Sequence, residues 1–593
     1  MSTAILTGPP VADSTVEDDL RLLGFDVVAA DSPADLVGHL KAAPAGARVA
    51  VVDRRFTGHR HALRLALTDP RFPAGAVPGA LGVTAAARDQ LCLAADRQSG
   101  PDELAAALDR AGIPVHRPEL GVLTAAVPTD EAARARARSA VAAVDDEEVR
   151  LRTAVKSRDG FFTTFFISPY SRYLARWCAR RGLTPNQVTT ASLLVALIAA
   201  GCAATGTRAG FVAAGVLLLA SFFLDCTDGQ LARYSLQFST LGAWLDATFD
   251  RAKEYAYYAG LAIGAARMGD DVWALALGAM VLQTCRHVVD FSFNEAAHFE
   301  DGAAANTSPT AALSDRLDGV GWTVWVRRMI VLPIGERWAL IAVLTAATTP
   351  RIVFYALLAG CSFAACYTTA GRVLRSVTRK ARRTDRAAHA LADLADSGPL
   401  AELASRVLPS VAAPVTAATG AAAALATALF APYGSWLPVA GAGAYCLTSA
   451  VAVAAPLKGA LDWLVPPILR AAEYTVILAL AARSGVPGAL PAAFGLVAAV
   501  AYHHYDTVYR IRGGTGAPPR ALVRATGGHE GRLLVVTAAA ALLAHTTALP
   551  TAALPTALAI LAGYLALVVL TESIRFWGSA GAPAVHDETG EPT

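Results

Sequence analysis

Four aspartates within one short segment carry the clearest chemical signal in the sequence. Asp225 and Asp228 are three residues apart, and Asp246 and Asp250 are four residues apart. In a helix, both spacings place the two side chains of a pair on one face. Two antiparallel helices can then direct four carboxylates into a single pocket.

A pocket with four carboxylates needs a compensating cation, because like charges at that distance cannot all remain ionised without one. Oxygen-only ligands favour Mg²⁺ or Mn²⁺ over zinc. Gly229 and Gly242 leave room for a substrate group to approach the backbone, and Arg233 offers a planar guanidinium to a phosphate. The pattern is therefore typical of a site for a pyrophosphate group.

The acidic segment lies in a strongly apolar chain, which leaves three classes of function open. Of 593 residues, 54% are hydrophobic and 17% are charged, and the formal net charge is only +3. This composition excludes an ordinary soluble enzyme and gives no indication of nucleic acid as a partner. A membrane enzyme, a transporter or channel with an intramembrane acidic pocket, and a membrane scaffold remain.

The residues around the four aspartates form a motif whose spacing favours the membrane enzyme over the other two classes. Asp-Gly-x-x-Ala-Arg at 228–233 is followed after eight residues by Gly-x-x-x-Asp-x-x-x-Asp at 242–250 and is preceded by Asp225. This arrangement resembles the signature of the CDP-alcohol phosphotransferase family at all eight fixed positions, and the resemblance covers roughly residues 155–375. It implies a membrane transferase of phospholipid or phosphodiester biosynthesis that moves a phosphoalcohol from a CDP-alcohol to an acceptor hydroxyl. Metal-dependent release of CMP would separate this enzyme from a transporter or scaffold.

The resemblance also implies a role for each position of the motif. The implied metal ligands, for two Mg²⁺ or Mn²⁺ ions, are Asp225, Asp228, Asp246 and Asp250, and Asp250 is also the implied catalytic base. The implied CDP-binding residues are Asp225, Asp228, Gly229, Ala232, Arg233 and Gly242. These roles agree with the chemistry, since metal ions neutralise a diphosphate while a carboxylate accepts the proton of the attacking hydroxyl.

A phosphorylated acceptor would need cations near this pocket. The candidates are Arg251, Lys253, Arg286, His287, Arg327 and Arg328. For each of them alone, the usual excess of basic residues in cytoplasmic loops is an equally good explanation. The expected partners are a CDP-alcohol donor such as CDP-diacylglycerol or a CDP-inositol-like molecule, a polyol or polyol-phosphate acceptor, membrane lipid, and a second copy of the chain in a homodimer.

The elements that must position these residues are predicted membrane spans. Apolar stretches of about 20 residues, the length that a bilayer requires, begin at Gln187. We predict about twelve spans in two halves of six, at 187–206, 209–232, 241–266, 272–294, 336–350, 352–373, 410–431, 435–456, 461–482, 487–505, 532–548 and 552–573. The expected fold class is thus a polytopic α-helical membrane protein, with a transferase domain at 155–375 and a six-span domain of unknown function at 387–593.

The distribution of basic residues predicts the orientation of the spans. With a cytoplasmic N-terminus, the basic run from Arg372 to Arg386 and the loop from Arg510 to Arg532 both lie inside, as the positive-inside rule requires. The first residues show no basic and apolar regions of a signal peptide. We therefore expect a multi-pass protein of the cytoplasmic membrane, with both termini and the active site on the cytoplasmic side.

Residues 1–150 are predicted to form a soluble α/β domain with a Rossmann-like sheet. The predicted strands are Ala4–Thr7, Phe25–Ala29 and Val49–Asp53, with weaker candidates near 80–83, 113–116 and 123–127. A soluble domain before the membrane domain is similar to the bifunctional inositol-phosphate cytidylyltransferase and di-inositol-phosphate-phosphate synthase architecture. The first strand, however, runs into Gly8-Pro9-Pro10 and not into a glycine-rich loop with a basic residue. The domain is therefore expected to be a degenerate, non-catalytic nucleotidyltransferase-like domain.

Two features of the C-terminal stretch predict local structure. Arg470 and Glu473 are three residues apart in an apolar segment, which predicts an ion pair on one helix face. His503 and His504 follow another apolar segment, and no cysteine or spaced carboxylate completes a metal-ligand set with them. They are expected to be interfacial side chains.

Overall fold

The structure, a computed structural model, describes residues 2–12, 14–44, 46–98, 100–156, 159–297, 325, 329–379, 383–513, 515–544 and 552–579. Its residues divide into two units. The first comprises Met1–Ser157, Ser168–Val188 and Cys226–Ser239, and the second comprises Arg158–Ile167, Thr189–Asp225 and Thr240–Thr593. Arg327 and Arg328, two of the predicted acceptor-binding residues, lie outside the described residues.

The first unit is built on a mixed β-sheet. Its strands are β1 Ser2–Thr7, β2 Phe25–Ala29, β3 Val49–Asp53, β5 Ala74–Val77, β6 Ala80–Val83 and β7 Val115–His116, and a separate pair consists of β4 Thr57–Gly58 and β8 Ala125–Ala126. The order in the sheet is β2-β1-β3-β6-β5-β7. Strands β1, β2 and β3 are parallel, whereas β6 is antiparallel to both β3 and β5.

The sequence predicted the centre of this sheet well and its edge less well. The first three predicted strands and 80–83 are confirmed, with β3 buried on both faces, since Val49 and Val51 enter one apolar core and Ala50 and Val52 the other. The predicted strand at 113–116 is shorter in the structure. The predicted strand at 123–127 joins the separate two-stranded sheet as β8, and β5 was not predicted.

Helices pack on the sheet and continue beyond it. They are α1 Val16–Leu22, α2 Pro33–Ala42, α3 Arg60–Leu67, α4 Arg88–Ala95, α5 Pro101–Arg110, α6 Glu131–Ala142, α7 Asp146–Thr153 and α8 Ser168–Arg180. Helix α8 is amphipathic, because Tyr170, Tyr173 and Trp177 are exposed while Ser171 and Cys178 are buried. Exposed aromatic side chains on one face are typical of a helix that lies in a membrane interface.

The remaining helices follow the predicted spans closely. They are α9 Pro185–Ala204, α10 Arg208–Ser235, α11 Thr240–Arg267, α12 Trp273–Ala296, α13 Ile334–Ala347, α14 Pro350–Arg379, α15 Asp385–Ala395, α16 Pro399–Ser405, α17 Ala413–Phe430, α18 Leu437–Val453, α19 Val465–Arg483, α20 Ala489–Arg512, α21 Arg520–Thr526, α22 Gly528–Leu543 and α23 Ala553–Trp577. Each of the twelve predicted spans overlaps one of these helices, and residues 545–548 of the predicted span 532–548 lie outside the described residues. The short helices α15, α16 and α21 match no predicted span.

Six helical segments are long and apolar enough to cross a membrane among the residues that the structure describes. They are Pro185–Ala204, Arg208–Ser235, Pro350–Thr378, Ala413–Phe430, Asp462–Arg483 and Ala553–Trp577. The protein is therefore mostly helical, with several membrane-capable helices and an α/β region at its N-terminus. The count of about twelve spans stays a prediction.

Small residues let the helices of the second unit approach closely. A Cβ atom added at Gly260 would lie 2.4 Å from the carbonyl oxygen of Ala200, and one at Gly264 would lie 2.1 Å from that of Ala203. Helix α11 therefore packs against α9 through its glycine backbone, as membrane helices with small residues four apart commonly do. This close contact fixes the position of α11, which carries two of the four motif aspartates.

A buried ionic network lies among the C-terminal helices. The predicted pair is confirmed, since Arg470 Nη1 donates to Glu473 Oε2 at 3.0 Å, and both Arg470 and Arg532 also contact Asp396, at 2.8 and 2.9 Å. His503 and His504 are buried, at 2% and 1% exposure. Their expected interfacial position is wrong, because helix packing covers both rings and His503 Nε2 lies 3.1 Å from Asp396.

Candidate active site

A tight reversal between α10 and α11 brings the two aspartate pairs together. Helix α10 ends at Ser235, and Leu236 adopts a left-handed φ of 52°. The backbone N–H of Gln237 donates to the carbonyl of Ala232 at 3.0 Å, and that of Leu236 donates to Arg233 at 3.4 Å. These two bonds form a Schellman motif, which satisfies carbonyls at the helix end and turns the chain toward α11.

Three of the four motif carboxylates form a cluster. Oxygen atoms of Asp225, Asp228 and Asp246 all lie within 4.8 Å of one another. Asp228 is buried, at 4% exposure, whereas Asp246 is exposed. The cluster is thus open on the side of Asp246, where a charged substrate group has access to it.

Lys253 lies at the centre of the acidic group. Its ammonium, fully buried, contacts a carboxylate oxygen of Asp225 and lies 3.0 Å from Asp250 Oδ1. It also donates to Ser192 Oγ at 3.1 Å. Lys253 is therefore an internal counter-charge for two carboxylates. Its predicted role in acceptor binding stays a prediction.

The cluster fits a divalent metal ion by the chemistry of its donors. Asp225, Asp228 and Asp246 offer only carboxylate oxygens, the ligand type that Mg²⁺ and Mn²⁺ prefer. A single buried ammonium does not neutralise four carboxylates. The three clustered aspartates would therefore hold the ion, and Asp250, bound to Lys253, stands beside them.

Three of the predicted CDP-binding residues, Gly229, Ala232 and Arg233, lie in the last turns of α10. A Cβ atom added at Gly229 would lie 3.5 Å from the guanidinium nitrogens of Arg233. Arg233 Nε donates to the carbonyl of Ala154 at 2.6 Å, which fixes the direction of this side chain. Ala232 and Gly242 are half-buried. Gly229 thus leaves open space beside a guanidinium that is already oriented.

The predicted acceptor-binding residues divide into different environments. Arg251 Nη1 lies 2.9 Å from Glu254 Oε2 and 3.4 Å from His287 Nδ1. Its guanidinium also lies 5.4 Å from the ring centroid of Tyr505. Arg286 is buried and donates to the carbonyl of Val331. Arg251 is therefore the described candidate that directly follows Asp250, and its side chain is 12% exposed.

Two residues that contact Arg251, Glu254 and Tyr505, were not found from the sequence. Glu254 also accepts a hydrogen bond from Tyr258 at 2.8 Å and lies 3.1 Å from Arg337, and Tyr505 hydrogen-bonds to His287. The spacing of Arg251 and Glu254, three residues apart, was a usable signal for an ion pair. Tyr505 lies more than two hundred residues away along the chain, so no local pattern indicates its contact.

In a comparison with known proteins, the segment that contains the motif matches a protein family. Residues 182–307 match the family model of CDP-alcohol phosphatidyltransferases. This range contains all eight positions of the motif, and it confirms the resemblance stated from the sequence. Residues 385–593 match a separate model, described as a family of unknown function (DUF5941).

Curated relatives are similar to this chain over the same segment. The archaetidylinositol phosphate synthase of Pyrococcus horikoshii is 30% identical over 113 residues, which are 19% of this chain and 58% of that protein. The bifunctional IPC transferase and DIPP synthase of Thermococcus kodakarensis is 33% identical over 124 residues, 21% of this chain and 27% of that protein. The phosphatidylinositol phosphate synthase of Streptomyces avermitilis is 32% identical over 130 residues, which are 21% of this chain and 51% of that protein. The chain thus spans between about a quarter and three fifths of these relatives.

Proposed function

We propose that this chain, which carries a CDP-alcohol phosphatidyltransferase domain at residues 182–307, transfers a phosphoalcohol from a CDP-alcohol to an acceptor hydroxyl and releases CMP. The observation that supports the proposal most strongly is the carboxylate cluster of Asp225, Asp228 and Asp246 inside the matched segment. A transporter with an acidic pocket would not need Gly229 and Arg233 at their motif positions beside such a cluster.

The proposed reaction assigns separate tasks to Asp250, Lys253 and Arg233. The acceptor oxygen attacks the phosphorus that bears the donor's alcohol, a new P–O bond forms, and the P–O bond to CMP breaks. Asp250 accepts the hydroxyl proton, and Lys253, 3.0 Å away, holds the carboxylate in place. Arg233 binds the diphosphate. When bound, the divalent ion supplies positive charge that neutralises the diphosphate.

The substrates are proposed from the surroundings of Asp250 and from the relatives. Arg251 follows Asp250 directly, and its guanidinium suits a phosphate on the acceptor. The names of two relatives include an inositol phosphate. We therefore propose a polyol phosphate of the inositol phosphate class as acceptor and CDP-diacylglycerol or a CDP-inositol-like molecule as donor. We also propose that the N-terminal domain is non-catalytic and that two copies of the chain form a homodimer.

CMP release tests the proposed function. The purified full-length protein is incubated with Mg²⁺, CDP-diacylglycerol or CDP-inositol, and a panel of free and phosphorylated polyols. We expect CMP to form only when a donor, an acceptor and the metal are all present. Cation flux through vesicles that contain the protein, without CMP release under any of these conditions, would favour the transporter instead.

Loss of a cluster carboxylate should abolish metal-dependent activity. Asp225→Ala and Asp228→Ala each remove one oxygen ligand from a hard cation, and we expect CMP release to fall by at least about 100-fold at saturating donor. Glu572→Ala is a matched control, since Glu572 pairs with Arg510 elsewhere in the second unit. Normal CMP release by either cluster variant at the usual Mg²⁺ concentration would contradict the metal assignment.

The active site is proposed to open to the cytoplasm. Gln237 is exposed and lies directly after the turn that ends α10. In a background without the eight native cysteines, a Gln237→Cys variant should react with an impermeant maleimide in inverted membrane vesicles and not in intact cells. Labelling in intact cells would show that the topology is the opposite of the proposed one and that the donor binds from the outer side.

A further inference from the structure

A basic cleft lies in the first unit. It has a volume of about 450 Å³, and the charged residues that line it lie on two helices. Helix α3 contributes Arg60, His61 and Arg64, and helix α7 contributes Asp146, Glu147 and Arg150. Its size is sufficient for a small phosphorylated molecule.

The cleft holds more positive charge than its own carboxylates compensate. Glu147 accepts a hydrogen bond from the Tyr234 hydroxyl at 2.7 Å and lies 3.7 Å from Arg150. The carboxylate of Asp146 accepts a hydrogen bond from the backbone N–H of His61 at 3.2 Å. In the described part of the chain, no carboxylate lies within 4.0 Å of Arg60 or Arg64. Two of the three guanidinium groups therefore form no salt bridge with a carboxylate, and their acidic neighbours, Asp19 for Arg60 and Glu147 for Arg64, act on them only through longer-range electrostatic interactions.

Burial makes this excess of charge costly. Burial, followed by the positive charge of Arg150, lowers the pKa of Arg64 to about 10. Burial also lowers the pKa of His61 to about 3, with Arg64 as the next cause. The His61 ring is therefore neutral, only 4% exposed, and neither of its nitrogens has a hydrogen-bond partner. An unpartnered buried ring beside uncompensated guanidinium groups indicates a place for an anion with several oxygen atoms.

Two of these arginines also bind the end of the motif helix. Arg64 Nη1 donates to the carbonyl oxygen of Tyr234 at 2.6 Å, and Arg150 Nε donates to the same oxygen at 2.9 Å. The Arg150 guanidinium lies 3.6 Å from the centroid of the Tyr234 ring. Tyr234 is in the last turn of α10, where carbonyls lack helical partners and cations are favourable. The cleft is thus connected to the helix that carries Asp225, Asp228 and Arg233.

We propose that the cleft binds the phosphate group of a small anion through Arg60, Arg64, Arg150 and His61, and that its occupancy orders the end of α10. Guanidinium groups match phosphate oxygens in geometry and charge. A phosphate between Arg64 and Arg150 relieves their mutual repulsion and leaves both donors on Tyr234 in place. The consequence for catalysis, tighter positioning of the CDP-binding residues, rests on the proposed function, whereas the binding itself does not.

Thermal unfolding and hydrogen exchange test this site without any enzymatic assay. The full-length protein in detergent is titrated with inorganic phosphate or pyrophosphate, in EDTA and at constant ionic strength, so that metal-dependent binding at the carboxylate cluster does not contribute. We expect pyrophosphate to raise the Tm and to slow hydrogen exchange in residues 230–239. A third series with a short-chain phosphatidic acid distinguishes a lipid headgroup from a soluble phosphate as the source.

Substitutions in the cleft locate the binding. Arg60 is exposed and makes no hydrogen bond in the described structure, so the Arg60→Gln variant should fold normally. We expect it to bind pyrophosphate at least about tenfold more weakly than the wild type does. Arg64→Lys keeps the charge but loses the planar fork, and it should weaken binding similarly. Arg136→Gln, at an exposed position of α6, is the matched control and should bind as the wild type does.

Two results would overturn the proposal. One is an absence of any Tm increase or exchange protection with all three phosphate probes. The other is binding of equal affinity in Arg60→Gln, Arg64→Lys and the wild type, which would place the anion elsewhere. Because neither readout involves CMP, failure of the transferase reaction would leave this test unaffected.

Discussion

Replacement of Asp250 by asparagine is expected to lower CMP release by about 100-fold to 10,000-fold, the usual contribution of a positioned general base. Asparagine has nearly the same shape as aspartate, and its amide oxygen can still accept a hydrogen bond from Lys253, which also keeps its contact with Asp225. The fold and the cluster of Asp225, Asp228 and Asp246 should therefore persist. Only the ability to accept the proton of the attacking hydroxyl is lost.

The measurement is kcat at saturating donor and acceptor, together with the Tm in Mg²⁺. We expect a reduced kcat with an unchanged Tm. Asp271→Asn is a matched control, because Asp271 lies between α11 and α12 and accepts the backbone N–H of Trp273 at 3.0 Å, a bond that asparagine can also accept. A kcat of Asp250→Asn within a few-fold of the wild type would exclude Asp250 as the base.

The sequence was sufficient to predict that Asp225, Asp228 and Asp246 lie close together, because helical periodicity is a local property. Asp225 and Asp228 share α10, Asp246 and Asp250 share α11, and a short turn joins the two helices. Membrane helices are also long and apolar, so their positions follow from composition alone. The same argument accounts for the agreement between the predicted spans and the helices that the structure contains.

The parts that could not be predicted depend on contacts between distant segments. Lys253 was assigned to the acceptor because it is basic and close to Asp250, but sequence spacing does not show that its ammonium is buried between Asp225 and Asp250. The support of Arg251 by Tyr505 is likewise a tertiary contact. Helical periodicity gives the face on which a side chain lies, and only packing determines what that face meets.

Strand β5 of the N-terminal sheet was missed for a different reason. Strands β5 and β6 form a hairpin through Pro78 and Gly79, and Gly79 has a φ of 81°. A Pro-Gly pair is a strong turn signal, because proline suits the second position of a type II turn and glycine the third. The segment before it, Ala74–Val77, consists of alanine, glycine and valine and shows no alternation of polar and apolar residues. The turn was therefore the usable signal for β5.

Lys253→Met is expected to make the stability of the protein strongly dependent on divalent metal. Methionine fills a similar volume but removes the one ammonium that contacts both Asp225 and Asp250. Breaking a buried ion pair by loss of one partner costs roughly 3–5 kcal/mol, so the Tm in EDTA should fall clearly. Mg²⁺ should then raise the Tm of this variant more than that of the wild type, because the ion becomes the main compensating charge for the carboxylates.

The comparison requires Tm values in EDTA and in millimolar Mg²⁺ for three proteins. Lys458→Met is the matched control, since Lys458 pairs with Asp385 at 2.6 Å on the surface, where both side chains are substantially exposed, and such pairs contribute about 1 kcal/mol or less. It should behave as the wild type does in both buffers. If Mg²⁺ raises the Tm of Lys253→Met no more than that of the wild type, the carboxylates do not bind the ion, and Lys253 is then a packing residue and not a counter-charge of a metal site.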